Sequence, residues 1–146
     1  MYLFEIFDEN NVSTPQQKQT IVDFLYENLE QYGDAKSQIE KAIAYALKEI
    51  TSFGGFVLLL KKDEQLKGVA VINKTGMGGY IPENILVYIA THKNSRGEGL
   101  GKKLMEKVIL HTQGDIALHV EANNPAKKLY EKYGFTNPYL EMRLKK

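Results

Sequence analysis

The chain has 146 residues, the size of one ordinary domain and enough to bury a core without disulfides. Hydrophobic residues make up 43% of it and charged residues 25%, a balance that excludes a disordered protein. A net charge of +1 gives no overall attraction to nucleic acid or membranes, and the absence of cysteine excludes thiolate nucleophiles and cysteine metal ligands.

The first third of the chain predicts one strand followed by two helices. Residues 2–7 are mostly apolar and favour a short strand. Thr14, with Gln17 three positions later, has the pattern of a capping box, so we expect a helix over residues 14–32. Apolar residues that recur at helical spacing predict a second helix over residues 34–52.

The middle of the chain predicts three strands. The continuous apolar run at residues 56–60 is typical of a buried strand. Residues 62–65 have the composition of a hairpin turn, which leads to a returning strand over residues 69–72. After a glycine-rich connection, the apolar run at residues 85–91 predicts a fourth strand.

The last third predicts two helices and three strands. We expect a helix over residues 99–112, a strand over residues 116–121 and a helix over residues 124–134. Residues 139–144 predict a closing strand, paired with a very short strand near residues 135–136. The resulting order, βααβββαβαββ, indicates an α/β protein in which a mixed sheet carries helices on both faces.

The loop that joins the fourth strand to the next helix carries the strongest functional signal. Gly97, Gly99 and Gly101 stand at alternating positions, where they let the backbone turn sharply and leave no Cβ in the way of a ligand. The N–H groups at the start of a helix have no partners within it and bind anions such as phosphate. The order of strand, basic glycine-rich loop and helix therefore indicates a site for a phosphate-bearing cofactor.

Two common nucleotide-binding loops are excluded by their key positions. A P-loop needs Ser or Thr after its Gly-Lys pair and a glycine five positions before the second glycine, where this chain has Lys103 and Arg96. A dinucleotide-binding G-x-G-x-x-G loop that starts at Gly97 would need a glycine in place of Lys102. The pattern that remains is Arg-x-x-Gly-x-Gly, from Arg96 to Gly101.

This pattern resembles the acyl-CoA loop of the GNAT superfamily of N-acetyltransferases, which is Gln/Arg-x-x-Gly-x-Gly/Ala between the fourth strand and the third helix. The second signature of the family, Asn-x-x-Ala-x-x-Leu-Tyr-x-x-x-Gly-Phe, is matched at Asn123, Ala126, Leu129, Tyr130, Gly134 and Phe135. The resemblance implies one GNAT-like domain over residues 1–146. It also implies a mostly antiparallel sheet that is splayed between the fourth and fifth strands.

The resemblance further implies that acetyl-CoA is bound as a co-substrate. Its pyrophosphate would lie on the backbone of the loop residues, which are Arg96, Gly97, Glu98, Gly99, Leu100, Gly101 and Lys102. Its pantetheine arm would pair with the strand edge at Ile89, Ala90 and Thr91. Asn123 or Asn124 would contact the cofactor as well, because the second signature can be read from either asparagine.

The reaction that the resemblance implies is transfer of an acetyl group to a primary amine by direct attack in a ternary complex. Tyr130 matches the family tyrosine near the sulfur, so it would contact the cofactor and act as the general acid. Glu83, just before the fourth strand, is a candidate general base, and deprotonation by water is an alternative. Other candidates for the base or for acceptor orientation are Tyr80, Tyr88, His92 and His119.

Several alternatives stay open at the level of the sequence. The chain could be a non-catalytic acyl-CoA-binding sensor or interaction module, or a transferase for a longer acyl group. We expect a cytoplasmic protein, because the first residues lack the order of a signal peptide and no apolar run is long enough to span a membrane. The expected partners are acetyl-CoA and an unidentified amine, with no metal, nucleic acid or membrane. A homodimer, frequent in the family, stays open.

Overall fold

The computed structural model describes residues 1–146. The strands are β1 (Tyr2–Phe7), β2 (Gly55–Lys62), β3 (Gln65–Lys74), β4 (Asn84–Thr91) and β5 (Ile116–Ala117). The α-helices are α1 (Pro15–Leu29), α2 (Lys36–Ala46), α3 (Leu100–His111) and α4 (Lys127–Lys132), and 3-10 turns cover Glu30–Tyr32 and Lys93–Ser95. None of the helices has both the length and the apolar character that crossing a membrane requires.

The strands form one sheet in the order β1-β2-β3-β4-β5. The first four are antiparallel to their neighbours, and β5 runs parallel to β4. One core cluster lies between the sheet and helices α1 and α2, and a second lies between the opposite face and helices α3 and α4. The predicted α/β fold, with helices on both faces of a mostly antiparallel sheet, is confirmed.

The start of α1 is the capping box that the sequence predicts. Thr14 Oγ1 accepts the N–H of Gln17 at 3.1 Å, and Gln17 Oε1 accepts the N–H of Thr14 at 2.8 Å. Two of the backbone N–H groups that a helix start leaves unpaired are satisfied in this way. The helix and its entry angle are therefore specified by four residues of local sequence.

The second helix is shorter than predicted, because it ends at Ala46 and not at residue 52. Lys48 has φ 57°, a left-handed conformation that no α-helix contains. The Ser52 hydroxyl turns back and donates to the carbonyl of Tyr45 at 2.7 Å. Because Ile50 is exposed, a further helical turn beyond Leu47 would bury little apolar surface. Turn contacts form there in place of the helix.

Strands β4 and β5 are splayed, as expected. They share two residue pairs, Asn84 with Ile116 and Ile85 with Ala117. From residue 86 onward β4 has no strand partner on this side. The fifth strand is therefore shorter than the predicted residues 116–121, because the chain moves away from β4 and forms no further ladder hydrogen bonds.

The two closing strands predicted at residues 135–136 and 139–144 are wrong. Leu140, Met142 and Leu144 alternate as a strand face would, but they are 84%, 92% and 83% exposed. A strand needs a partner edge, and β5 is only two residues long. The alternating segment therefore has no ladder to join within this chain.

The capping box gives the first testable prediction. Thr14→Ala should lower the free energy of unfolding by about 1 kcal/mol, because it removes the acceptor of the Gln17 N–H. Urea unfolding monitored by circular dichroism measures the change. The matched control is Thr20→Ala, since the Thr20 hydroxyl donates to the Gln16 carbonyl within the same helix, and we expect a change within about 0.5 kcal/mol. Equal effects of the two substitutions would contradict the capping role.

Candidate active site

Strand β4 contains a β-bulge next to the point where it loses contact with β5. Its pairing with β3 steps from Tyr88 with Val71 to Leu86 with Ile72, which makes Val87 the extra residue. Tyr88 therefore lies in the core cluster against α1 and α2, and Leu86 lies in the cluster against α3. A regular strand would have placed both residues on one face. The bulge turns the Tyr88 side chain towards the first two helices.

The loop between β4 and α3 presents a row of free backbone donors. None of the N–H groups from Arg96 through Lys102 donates to another atom of the protein. Gly97 and Gly99 have φ values of 91° and 75°, and a Cβ on either would meet no atom within 4 Å. The space in front of the loop is therefore open. We call these N–H groups the cradle; together with the start of α3 they fit a phosphate or pyrophosphate.

The third glycine of the loop serves packing. A Cβ on Gly101 would lie 3.2 Å from Cδ2 of Leu129, so the Leu129 side chain of α4 packs closely on the start of α3. The Tyr133 hydroxyl holds the same two helices together, since it donates to Oε1 of Glu106 at 3.0 Å. The two sequence motifs are thus packed against each other, and the cradle lies beside the helix that carries Tyr130.

Tyr130 has the properties of a proton donor. The residue is 8% exposed, and its ring packs edge-on against Phe135 with centroids 6.0 Å apart. Its hydroxyl makes no hydrogen bond within the protein. Burial raises the pKa of Tyr130 to about 12, so the phenol keeps its proton at neutral pH. A protonated hydroxyl without a protein partner is available to donate to a ligand.

The two candidate asparagines differ in what their side chains already bind. Asn124 Oδ1 accepts the N–H of Ala126 at 2.9 Å, which caps the turn before α4. The Asn123 side chain makes no hydrogen bond within the protein, and its backbone carbonyl accepts the Tyr32 hydroxyl at 3.3 Å. Of the two, Asn123 has the side chain that is free to bind a ligand.

Glu83 and Asn84 join the start of β4 to the turn before β5. Glu83 Oε1 accepts the N–H of Asp115 at 3.0 Å. Asn84, which is 3% exposed, donates from Nδ2 to the carbonyls of Gln113 at 2.7 Å and Asp115 at 3.2 Å. The parallel strand is fixed at this end and free at the other, and the gap between β4 and β5 opens from here.

The remaining candidates lie at different places around this gap. The buried Tyr88 hydroxyl donates to Oδ2 of Asp34 at 2.5 Å, and both its burial and this hydrogen bond raise the pKa of Tyr88. His92 Nδ1 accepts the N–H of Asn94 at 3.1 Å in the turn after β4. Tyr80 and His119 are exposed. No sequence motif marks Asp34, since it is a single aspartate between two helices.

Comparison with known proteins is consistent with this geometry. A family model for the acetyltransferase (GNAT) domain matches residues 53–137. The solved ribosomal-protein-S18-alanine N-acetyltransferase from Escherichia coli aligns with a TM-score of 0.70 at 15% identity, over 95% of this chain and 80% of that one. A GNAT-family acetyltransferase from Streptococcus pneumoniae aligns with a TM-score of 0.70 at 12% identity, over 100% and 98% of the two chains. A GNAT-family structure from Desulfovibrio desulfuricans aligns with a TM-score of 0.69 at 17% identity, over 93% and 86%.

At these identities the structural likeness shows the fold, and the family assignment comes from the sequence model. That model covers more than half of the 146 residues and includes both the glycine loop and the Tyr130 signature. The chemistry general to the family is acyl transfer from acetyl-CoA. The chain belongs to the GNAT family of acetyltransferases.

Proposed function

We propose that the protein is an acetyl-CoA-dependent N-acetyltransferase that moves the acetyl group to a primary amine by direct attack in a ternary complex. The observation that carries this proposal is the position of the cradle beside the helix that holds Tyr130. Donors for an anion can hold the diphosphate of a CoA thioester, and a phenol that keeps its proton can protonate the departing sulfur. Family membership supports acyl transfer, and the amine acceptor is our own inference.

In this proposal the backbone N–H groups from Arg96 to Lys102 bind the pyrophosphate. The backbone of Ile89, Ala90 and Thr91 has β3 on one side and no strand on the other, so its edge is open to the pantetheine arm. Asn123, whose side chain is unpaired, is the asparagine that we assign to the cofactor. We take the bound state to need no metal.

Proton transfer in this proposal runs through two side chains. The amine nitrogen bonds to the thioester carbonyl carbon while the carbon–sulfur bond breaks. Tyr130 gives its proton to the departing sulfur, and Glu83 accepts the proton that the amine loses. Glu83 Oε2 makes no hydrogen bond within the protein and is free for this, whereas Oε1 stays bound to the N–H of Asp115.

Replacing the phenol hydroxyl tests the acid role. Tyr130→Phe should lower kcat at least about 100-fold and leave the KM for acetyl-CoA within about twofold, because it removes the proton donor and no hydrogen bond of the fold. Release of free CoA thiol, measured with the best amine from a library screen, gives both constants. The control is Tyr139→Phe, the same change at an exposed tyrosine, and we expect it to retain kcat. Unchanged turnover in Tyr130→Phe would exclude the acid role.

The raised pKa of Tyr130 predicts the shape of the pH profile. With a pKa of about 12, the phenol stays protonated in the accessible pH range. We expect kcat to rise as the amine or its base deprotonates and then to stay level up to about pH 10.5, whereas an ordinary tyrosine would cause a fall near about pH 10. A descending limb near about pH 10 that is present in the wild type and absent from Tyr130→Phe would contradict the raised pKa of Tyr130.

The base role of Glu83 can be separated from its structural role. Glu83→Gln keeps an oxygen that can accept the Asp115 N–H but cannot take up a proton. We expect kcat to fall about 100-fold at neutral pH, with loss of the rising limb of the pH profile. The control is Glu121→Gln, the same change at an exposed carboxylate. An unchanged pH profile of kcat in Glu83→Gln would exclude the base role and leave only the structural role of Glu83.

Two observations favour a second function. A carboxylate oxygen of the candidate base is already bound to the backbone, and the closing strands expected of the family fold are absent. A non-catalytic acyl-CoA-binding protein would share these features. Calorimetric binding of CoA, with no acetylated product from any amine of the library, would favour it. Competition between acetyl-CoA and longer thioesters in the same calorimeter tests transfer of a longer acyl group.

A further inference from the structure

The end of helix α1 holds the cradle loop at two places. Asn28 lies in the last turn of α1 and is 5% exposed. Its Nδ2 donates to the Phe24 carbonyl at 2.8 Å, and its Oδ1 accepts the N–H of Lys93 at 2.8 Å. Its backbone carbonyl accepts Nη2 of Arg96 at 3.0 Å, and Nη1 of Arg96 pairs with Oε1 of Glu30 at 2.9 Å.

The Asn28 amide serves the loop rather than its own helix. Asparagine is a poor helix former, and burial of an amide is unfavourable unless both of its ends are hydrogen-bonded. The oxygen of Asn28 binds the first residue of the 3-10 turn Lys93–Ser95, which leads directly into the cradle. An alanine or leucine here would suit the helix better, so the loop contact accounts for an asparagine at this position.

Arg96 is directed at α1, although a basic residue in a phosphate loop suggests a direct contact with phosphate. Its guanidinium donates to Asn28 and Glu30, on the side of the loop that faces α1. Glu30 has φ 54° and ψ −127°, a backbone conformation that residues with a side chain rarely adopt. The arginine side chain therefore anchors the loop, while the backbone N–H groups that follow it stay free.

We propose that Asn28 is a positioning residue for the cradle, with the Glu30–Arg96 ion pair as a second tie. The conformational freedom of Gly97 and Gly99 makes this loop entropically costly to order. If the loop were mobile before binding, ordering it would weaken the affinity for a ligand. The two ties hold the loop in the shape that leaves its donors free, before any ligand arrives. Asn28 thus supports cofactor affinity from outside the cradle. This inference rests on the proposed function.

The test compares two thioesters in the full chain. Asn28→Ala should raise the Kd for CoA and the KM for acetyl-CoA about tenfold, with kcat within about twofold, because the Lys93 N–H loses its acceptor. Acetyl-pantetheine has no pyrophosphate and does not use the cradle, so its kcat/KM should change less than about twofold. A purely structural role for Asn28 would affect the two thioesters alike, and that outcome would overturn the inference.

Two further variants complete the experiment. Val22→Ala creates a cavity in the buried part of the same helix and controls for lost stability, so its Kd for CoA should match that of the wild type. Glu30→Ala removes an exposed partner of Arg96 and keeps the test valid if Asn28→Ala does not fold; its Kd should rise about threefold. No change of Kd in Asn28→Ala, no change in Glu30→Ala where Asn28→Ala does not fold, or equal weakening in Val22→Ala and Asn28→Ala would each refute the positioning role. A wild type that binds no CoA would refute the proposed function itself.

Discussion

The attachment of β5 to β4 at one end only is the constraint on which the site depends. The buried amide of Asn84 holds the carbonyls of Gln113 and Asp115, and this fixes the start of β5 beside the start of β4. After two residue pairs the strands separate, and the backbone of β4 is left with an open edge. Backbone donors and acceptors on such an edge need partners, which water or a ligand must supply. The cleft is thus a consequence of where the sheet stops pairing.

The helices that follow β4 and β5 carry further residues of the candidate site. Helix α3 begins at the cradle, and α4 packs against its first turn because Gly101 leaves room for Leu129. That close approach places the Tyr130 side chain of α4 and the free N–H groups before α3 on the same side of the sheet. Packing between the helices therefore determines the geometry of the site.

The sequence predicted the parts of the structure that local chemistry specifies. The capping box at Thr14, the buried run of β2 and the glycine loop each depend on neighbours within a few residues. The prediction of the closing strands was wrong, because apolar alternation at residues 139–144 indicates a strand but cannot supply a partner edge. The hydrogen bonds of Asn28, Asn84 and Asp34 could not be predicted from the sequence for a related reason. Each is a single polar residue whose partners lie far away in the chain, and no spacing pattern marks it.

The segment after α1 closes the other end of the cleft. The Tyr32 hydroxyl donates to the carbonyl of Asn123 beyond β5, and Asp34 accepts the hydroxyl of Tyr88 on β4. Together with the Asn84 contacts, these bonds form a ring around the open part of the splay. These bonds reach β4 at Tyr88 and the loop beyond β5 at Asn123, so they link the two sides of the splay through the segment after α1. The two sides of the splay are thus connected in the folded chain before any ligand binds, which reduces the ordering that binding would require.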